Sequence, residues 1–498
     1  MRSLLASARD GVGLAIGIAA GACVNVTDYR CDEQADCRRG GAEGVCQDVG
    51  YCSYPDDVCE SKQRFSYLAG PYAGDCVELS DSSSSGDDDG SDDESTGGSG
   101  DEDGGESTTE DPERNPVGPF CGDGNLDPGE QCDDGNQFDN DACNADCTEA
   151  GLVSWWTDFP FEGGSKEFLG VDALGLDGVA VVGREGPSAY VGLHSTSDGS
   201  EVWSDKTDIP GGTDLATGLV TVDGRMYVSA QVGGSPTRPG MYCYEIDGSD
   251  CGQVVVDTPG ALRSASGITY VDRADSPALL LSARTGSRGA AIEIDPTVPE
   301  VVWTVDMEPP VEGVNDRLRG ATAMGETGYV AGMVGARMWL GTAEQSGLTE
   351  VWREIEQALS LSEAQGLVSD DTSLYIVGYI DGTEQAQPVR RVMVTRLSPE
   401  GEELWLRVVD DQGEAEALAV GADGSVFAGG FAVAPAAVPW IGKWGPDGEE
   451  LWQRTYPEYS IDETKIRGIK ILLSGDLVIV GESGGPSARD AFIARIRD

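Results

Sequence analysis

Histidine is almost missing: the 498-residue chain has one, His194, which removes most chemistry that needs an imidazole as base or zinc ligand. Positive charge is scarce as well, with 33 lysines and arginines against 88 aspartates and glutamates and a net charge of -55. A phosphate backbone is bound through lysine and arginine, so nucleic acid is excluded as a partner, and an acidic membrane surface is a poor one. The chain has no Gly-rich phosphate loop, no Gly-x-Ser-x-Gly elbow and no His-Glu-x-x-His pair. The apolar run from Gly11 to Ala22 is too short to span a bilayer and has the length of a signal-peptide core.

Cysteine, by contrast, is present and grouped. After Cys23 come six (Cys31, Cys37, Cys46, Cys52, Cys59, Cys76), then four (Cys121, Cys132, Cys143, Cys147), then two (Cys243, Cys251). Even groups without Cys-x-x-Cys pairs or histidine partners point to disulfides in an oxidising compartment rather than to zinc. Cys243 and Cys251 flank the Asp247-Gly248 turn and are expected to close a hairpin disulfide. Six cysteines allow fifteen connectivities, and the sequence does not choose among them.

Read in order, the chain changes character several times. Residues 1–22 precede Ala20-Gly21-Ala22-Cys23, which resembles a bacterial lipobox, with alanine at 20 where that family prefers leucine. The resemblance implies acylation of Cys23, membrane attachment through the lipid and, since Val24 and Asn25 carry no aspartate retention signal, outer-membrane sorting. An ordinary secretory signal with Cys23 as a spare thiol is the alternative; removing Cys23 leaves twelve cysteines to pair, which favours the lipoprotein. Residues 23–79 are too small and polar for a core and need covalent staples. Their phrase Cys46-Gln-Asp-Val-Gly-Tyr-Cys52-Ser-Tyr-Pro-Asp-Asp-Val-Cys59 resembles a module at the head of myxobacterial-type surface lipoproteins.

Residues 80–116 carry fourteen acids against Arg114 alone, interspersed with serine and glycine. Such a stretch cannot bury enough apolar surface to offset chain entropy, so it is expected to be a disordered, extended tether. Residues 117–150 hold Cys121-Gly-Asp-Gly, then Gly129-Glu-Gln-Cys132-Asp-Asp-Gly-Asn136, then Asp141-Ala-Cys143 and Cys147. This is similar to the myxobacterial-type cysteine-rich repeat, departing from it at Ala142, where that family has glycine. Two disulfides among its four cysteines would hold it. The oxygen donors Asp123, Asn125, Asp127, Asp133, Asp134 and Asn136 are spaced as calcium ligands could be. Pro128 and Asp134 stand where an EF-hand needs glycine and glutamate, so turn capping by these residues is the favoured reading and calcium the alternative; no other cofactor is expected.

From 151 to 498 a phrase ending in tryptophan recurs: Glu201-Val-Trp203, Glu300-Val-Val-Trp303, Glu350-Val-Trp352, Glu402-Glu-Leu-Trp405 and Glu449-Glu-Leu-Trp452. The spacings near fifty residues, with two units between Trp203 and Trp303, match the period of a β-propeller. One unit reads as strands at 415–420, 425–430, 439–444 and 450–455 joined by Asp-Gly turns, which tolerate positive φ. After Trp452 only three strands follow, at 466–472, 476–481 and 491–496. The orphan segment 152–157 supplies the fourth. The expected fold is therefore mainly β: a seven-bladed propeller closed by its N-terminal strand, preceded by small disulfide-rich modules and a disordered acidic linker. Residues 350–362 also suit a helix, but the repeat register takes precedence.

The blades resemble pyrroloquinoline-quinone-like bacterial propeller repeats, Ser197-Asp-Gly-Ser-Glu-Val-Trp203 lying close to their turn-then-tryptophan signature. In that family catalysis needs calcium-binding and acidic residues in long inserts, and the loops here are short. His194 has no evident catalytic partner and is expected at the surface or in a turn. The tryptophans are expected to pack between blades. The expected function is a non-catalytic cell-surface lipoprotein whose propeller face binds a protein or glycan. A propeller enzyme, quinone-dependent or hydrolytic, and an envelope assembly scaffold are the alternatives.

Overall fold

In a computed structural model, residues 151–498 are described apart from short stretches of the connections. Earlier in the chain it describes parts of 38–65, then 77, 126, 130–133, 143–144 and 147–150. The signal segment with Cys23, the tether 80–116, and Cys31, Cys37, Cys59, Cys76 and Cys121 lie outside the described residues. So do Asp123, Asn125, Asp127, Asp134 and Asn136. The chain divides into two compact units, 1–110 and 111–498. In the first, Val45–Cys46, Cys52–Pro55 and Gln63–Phe65 form a three-stranded antiparallel sheet. Cys46 and Cys52 are both disulfide-bonded there. Buried Ser53 bonds to the side chains of Gln47 and Gln63 at 2.5 and 2.9 Å.

The second unit is a propeller of seven antiparallel four-stranded blades. The first six are consecutive in sequence, beginning with Lys166–Leu174, Gly178–Glu185, Ser188–Ser195 and Glu201–Thr207. Fifth and sixth share one long strand, Glu403–Val420, whose first half pairs with Gln387–Leu397 and whose second half pairs with Val426–Val433. The seventh blade joins Thr464–Ile471, Leu477–Ser483 and Asp490–Ile496 to Val153–Phe159, with Ala494 opposite Trp156. The expected closure by the segment before the first blade is what the chain forms. Closure pairs two edges that would otherwise be open templates for association.

The pattern of burial explains the strand order. Second and third strands such as Leu477–Ser483 and Ala437–Trp444 are buried along their whole length, because neighbouring blades cover both faces. Outermost strands such as Glu201–Thr207 mix exposed charge with half-buried positions. Among the described residues seven apolar clusters follow one another round the ring, and one of them includes Ala150 together with Trp452 and Tyr456. The contact of the cysteine-rich segment with the ring extends to ion pairing of Glu149 with Arg454.

The recurrent tryptophan and the Asp-Gly turn are two halves of one contact. Indole N–H groups of Trp155, Trp203 and Trp405 donate to the carbonyls of Thr196, Ile246 and Pro446, each in a turn of the next blade, at 3.2, 3.1 and 3.0 Å. The glycine of each turn lies under the ring: a Cβ on Gly199 or Gly448 would approach Trp155 or Trp405 to 2.5 or 2.7 Å. Both glycines have positive φ, so the turn and the indole platform require the same residue. Trp352 lies in the strand Gly347–Arg353, which sides with the repeat register over the helix at its start; 355–360 lie outside the described residues.

Candidate functional site

Each innermost strand carries a β-bulge at the same place in all seven blades, and that of the third blade has a second register shift at Leu262/Ser264. The register shifts fall at Phe168/Gly170, Ala216/Gly218, Ala265/Gly267, Leu318/Gly320, Ala364/Gly366, Ala415/Ala417 and Ile466/Gly468. A bulge leaves one residue unpaired and re-aims its side chain. The residues so released are Leu169, Thr217, Ser266, Arg319, Gln365, Glu416 and Arg467, all half-buried. Together with Leu215 they line a cavity of ≈ 210 Å³ on the propeller axis. The small residue after each bulge lets adjacent inner strands converge; a Cβ on Gly267 or Gly320 would stand 2.7 Å from the Arg319 carbonyl or 2.6 Å from Leu367. None of the seven was singled out in the sequence; the signal that could have found them is the residue just after each bulge, glycine in six blades and Ala417 in the sixth.

The acids near the axis are already engaged. Glu363, fully buried, accepts from Arg319 Nε at 3.1 Å and Tyr379 Oη at 2.9 Å, and pairs with Arg317. A second chain of ion pairs runs from Arg184 through Glu167, Arg489 and Glu482 to Arg467, with contacts of 2.5, 3.3, 2.7 and 2.5 Å, and ends on Glu416. It crosses the seam between first, seventh and sixth blades and so reinforces closure. Burial pushes the Glu482 carboxyl up, but Arg467 and Arg489 outweigh it and hold it below the usual carboxylate range. Each of these acids is thus a counter-ion to at least one arginine.

The ring also presents polar groups that have no protein partner among the described residues. Arg319 uses only Nε, leaving its two terminal nitrogens without a partner among the described residues; the Gln365 amide and Ser266 hydroxyl are likewise unbonded. Across the cavity, on the first two blades, Leu169 and Leu215 present an apolar wall. A larger cleft of ≈ 480 Å³ opens at the outer edge between third and fourth blades. Its main polar groups are paired, Trp339 and Arg353 both donating to Glu350, so it offers less unspent bonding than the axis.

His194 is not at the surface, as its sequence context suggested, but fully buried in Ser188–Ser195. Its Nδ1 lies 3.0 Å from the Gly199 carbonyl and its Nε2 2.9 Å from Tyr190 Oη, which donates to Glu201 at 2.7 Å. Burial pushes the imidazole below its usual range, against the Gly199 carbonyl and Glu201, which pull it up. The group braces the first blade.

All three expected disulfide groups are represented: Cys243 pairs with Cys251, Cys132 with Cys143, Cys147 is also disulfide-bonded, and so are Cys46 and Cys52 of the first group. Of the candidate calcium ligands only Asp133 is described, near Glu130 and Cys147. With the Cys147 sulfur held in a disulfide, two carboxylates remain among the described residues, too few by themselves for a cation that takes six to eight oxygens. No helix among the described residues is long and apolar enough to cross a membrane.

No protein-family model and no curated protein sequence matches the chain. Solved structures of similar shape include U3-55K, at 10% identity and TM-score 0.48, covering 70% of this chain and 100% of that one. The Pan2 WD40 domain of Neurospora crassa is similar at 9% identity and TM-score 0.47, covering 70% and 95%. A europium-containing methanol dehydrogenase is similar at 11% identity and TM-score 0.37, covering 66% and 81%.

Proposed function

We propose that the protein is a non-catalytic binding platform, held at the outer membrane by a lipid on Cys23 and carried away from the bilayer by the acidic tether 80–116. The observation that carries the platform reading is the state of the axial site: its acids are neutralised by arginines, while adjoining positions keep unspent hydrogen-bond donors. That is the arrangement of a recognition site, where charge is fixed beforehand and the ligand completes the bonding. The lipobox-like Ala20-Gly21-Ala22-Cys23 and the even cysteine groups support the address. The ring's outer faces remain available to a protein or glycan partner.

Palmitate labelling of cells making the wild-type chain or Cys23→Ala tests the anchor: label on the first and not the second is expected, and equal labelling rules the anchor out. Protease added to intact cells tests display. It should release the propeller by cutting within 80–116, and a fully protected chain rules out surface exposure.

A further inference from the structure

We infer that the axial cavity binds a small monocarboxylate with a short aliphatic tail. The inference rests on the platform reading only in treating the cavity as a recognition site, and it goes further by naming the ligand class.

Three adjacent blades contribute the polar arc. Ser266, Arg319 and Gln365 occupy the same bulge position on the third, fourth and fifth blades, and each keeps unbonded donor capacity. The terminal nitrogens of a guanidinium form a planar fork that matches a carboxylate, and Arg319 is fixed for that task because its Nε is bonded to buried Glu363. The local charge agrees. Arg317 and Arg319 share one carboxylate, Glu363, which leaves one surplus positive charge in a chain that is otherwise strongly acidic.

Size and the opposite wall narrow the class. A volume of ≈ 210 Å³ is below the usual range for drug-sized ligands and holds a compact metabolite. Leu169 and Leu215 face the cavity on the first two blades and suit an aliphatic end. A second negative charge has no free cation to meet: Arg467 is spent on Glu416 and Glu482, and Glu416 itself lines the cavity. Phosphate and dicarboxylates are therefore expected to bind more weakly than a monoanion.

Calorimetric titration of the full-length protein with butyrate, isovalerate, succinate and inorganic phosphate tests the inference. Butyrate or isovalerate should bind, and Arg319→Gln should weaken that binding at least tenfold while Tyr379 and Arg317 keep Glu363 bonded and the melting curve stays close to wild type. Gln365→Leu leaves every ion pair intact and should weaken binding several-fold; Leu169→Asp should abolish it. Arg353→Gln, at the outer edge, should change nothing. Absence of binding by both monocarboxylates, equal affinity in Arg319→Gln, or tighter binding of phosphate or succinate would each overturn the inference. None of these results bears on palmitate labelling or protease release, so this inference and the proposed anchoring and display can fail separately.

Discussion

Lys443 and Asp498 allow a sharp test of how the ring is held together. Lys443 lies in a strand buried along its length, with no exposed side-chain surface, and its Nζ meets both carboxylate oxygens of Asp498 at 2.8 and 2.9 Å. The pair links the sixth blade to the end of the seventh. Burial pushes the Asp498 carboxyl above its usual range even though Lys443 pulls it down, so desolvation exceeds attraction. A buried ion pair need not be a net source of stability, but breaking this one strands an ammonium beside Phe427 in the sheet. Asp498→Ala should cost about 3–5 kcal/mol, the usual penalty for leaving one buried partner unpaired. Unfolding entropy of about 2.1 cal/mol/K per residue over the propeller converts this to a midpoint lowered by about 4–7 °C. Lys443→Met with Asp498→Leu should recover most of the loss. Differential scanning calorimetry of wild type, single and double variants reads all three. A single variant that melts within a degree of wild type, or a double variant no better than the single, refutes the reasoning.

His194 predicts a pH dependence that belongs to it alone, since the chain has no other histidine. Its folded-state pKa is depressed by burial, so stability is full at neutral pH and falls as pH drops through the unfolded value of about 6.5 toward the folded one; His194→Gln should flatten denaturant midpoints between about pH 5 and 7, and an unchanged slope refutes this. Gly378→Ala should destabilise by about 1–3 kcal/mol, because its Cβ would stand 1.9 Å from the Glu363 carbonyl; a melting curve within error of wild type counts against that fit. Replacing Cys243 and Cys251 together with serine should cost at most about 2.5 kcal/mol, the chain-entropy value for a loop this short, read as the difference in urea midpoint between the variant and the oxidised wild type. A larger loss would mean the bond does more than close its hairpin.

The blades were legible in the sequence because each is a local object. The strands expected at 425–430, 439–444 and 450–455 lie within or coincide with Val426–Val433, Ala437–Trp444 and Glu450–Thr455, give or take a terminal residue. Even the closing strand could be found, since counting exposes a unit that lacks one piece. The axial site was not legible. A bulge displaces the register by one residue, so the side chain it releases lies outside the strand alternation from which faces are read. His194 was misplaced for a related reason: its partners are Tyr190, four residues back on the same strand face, and the Gly199 carbonyl in the turn that follows. Gly192, between tyrosine and histidine, is what lets the tyrosine lie down toward the imidazole; a Cβ there would stand 2.5 Å from Tyr190 Oη.

The seam that completes the seventh blade also dictates an order of events. Phe161 N–H donates to Asp490 across 329 positions of sequence, and the whole Val153–Phe159 ladder depends on contacts of that span. During synthesis this first strand of the ring leaves the ribosome long before its partner exists. Six blades can fold by local pairing, but the last must bring the ends together against a loop-closure entropy of about 5 kcal/mol beyond the constant term. Until Asp490–Ile496 pairs with Val153–Phe159, two sheet edges stay bare. The growing chain is thus open to association with other chains until Asp490–Ile496 reaches Val153–Phe159.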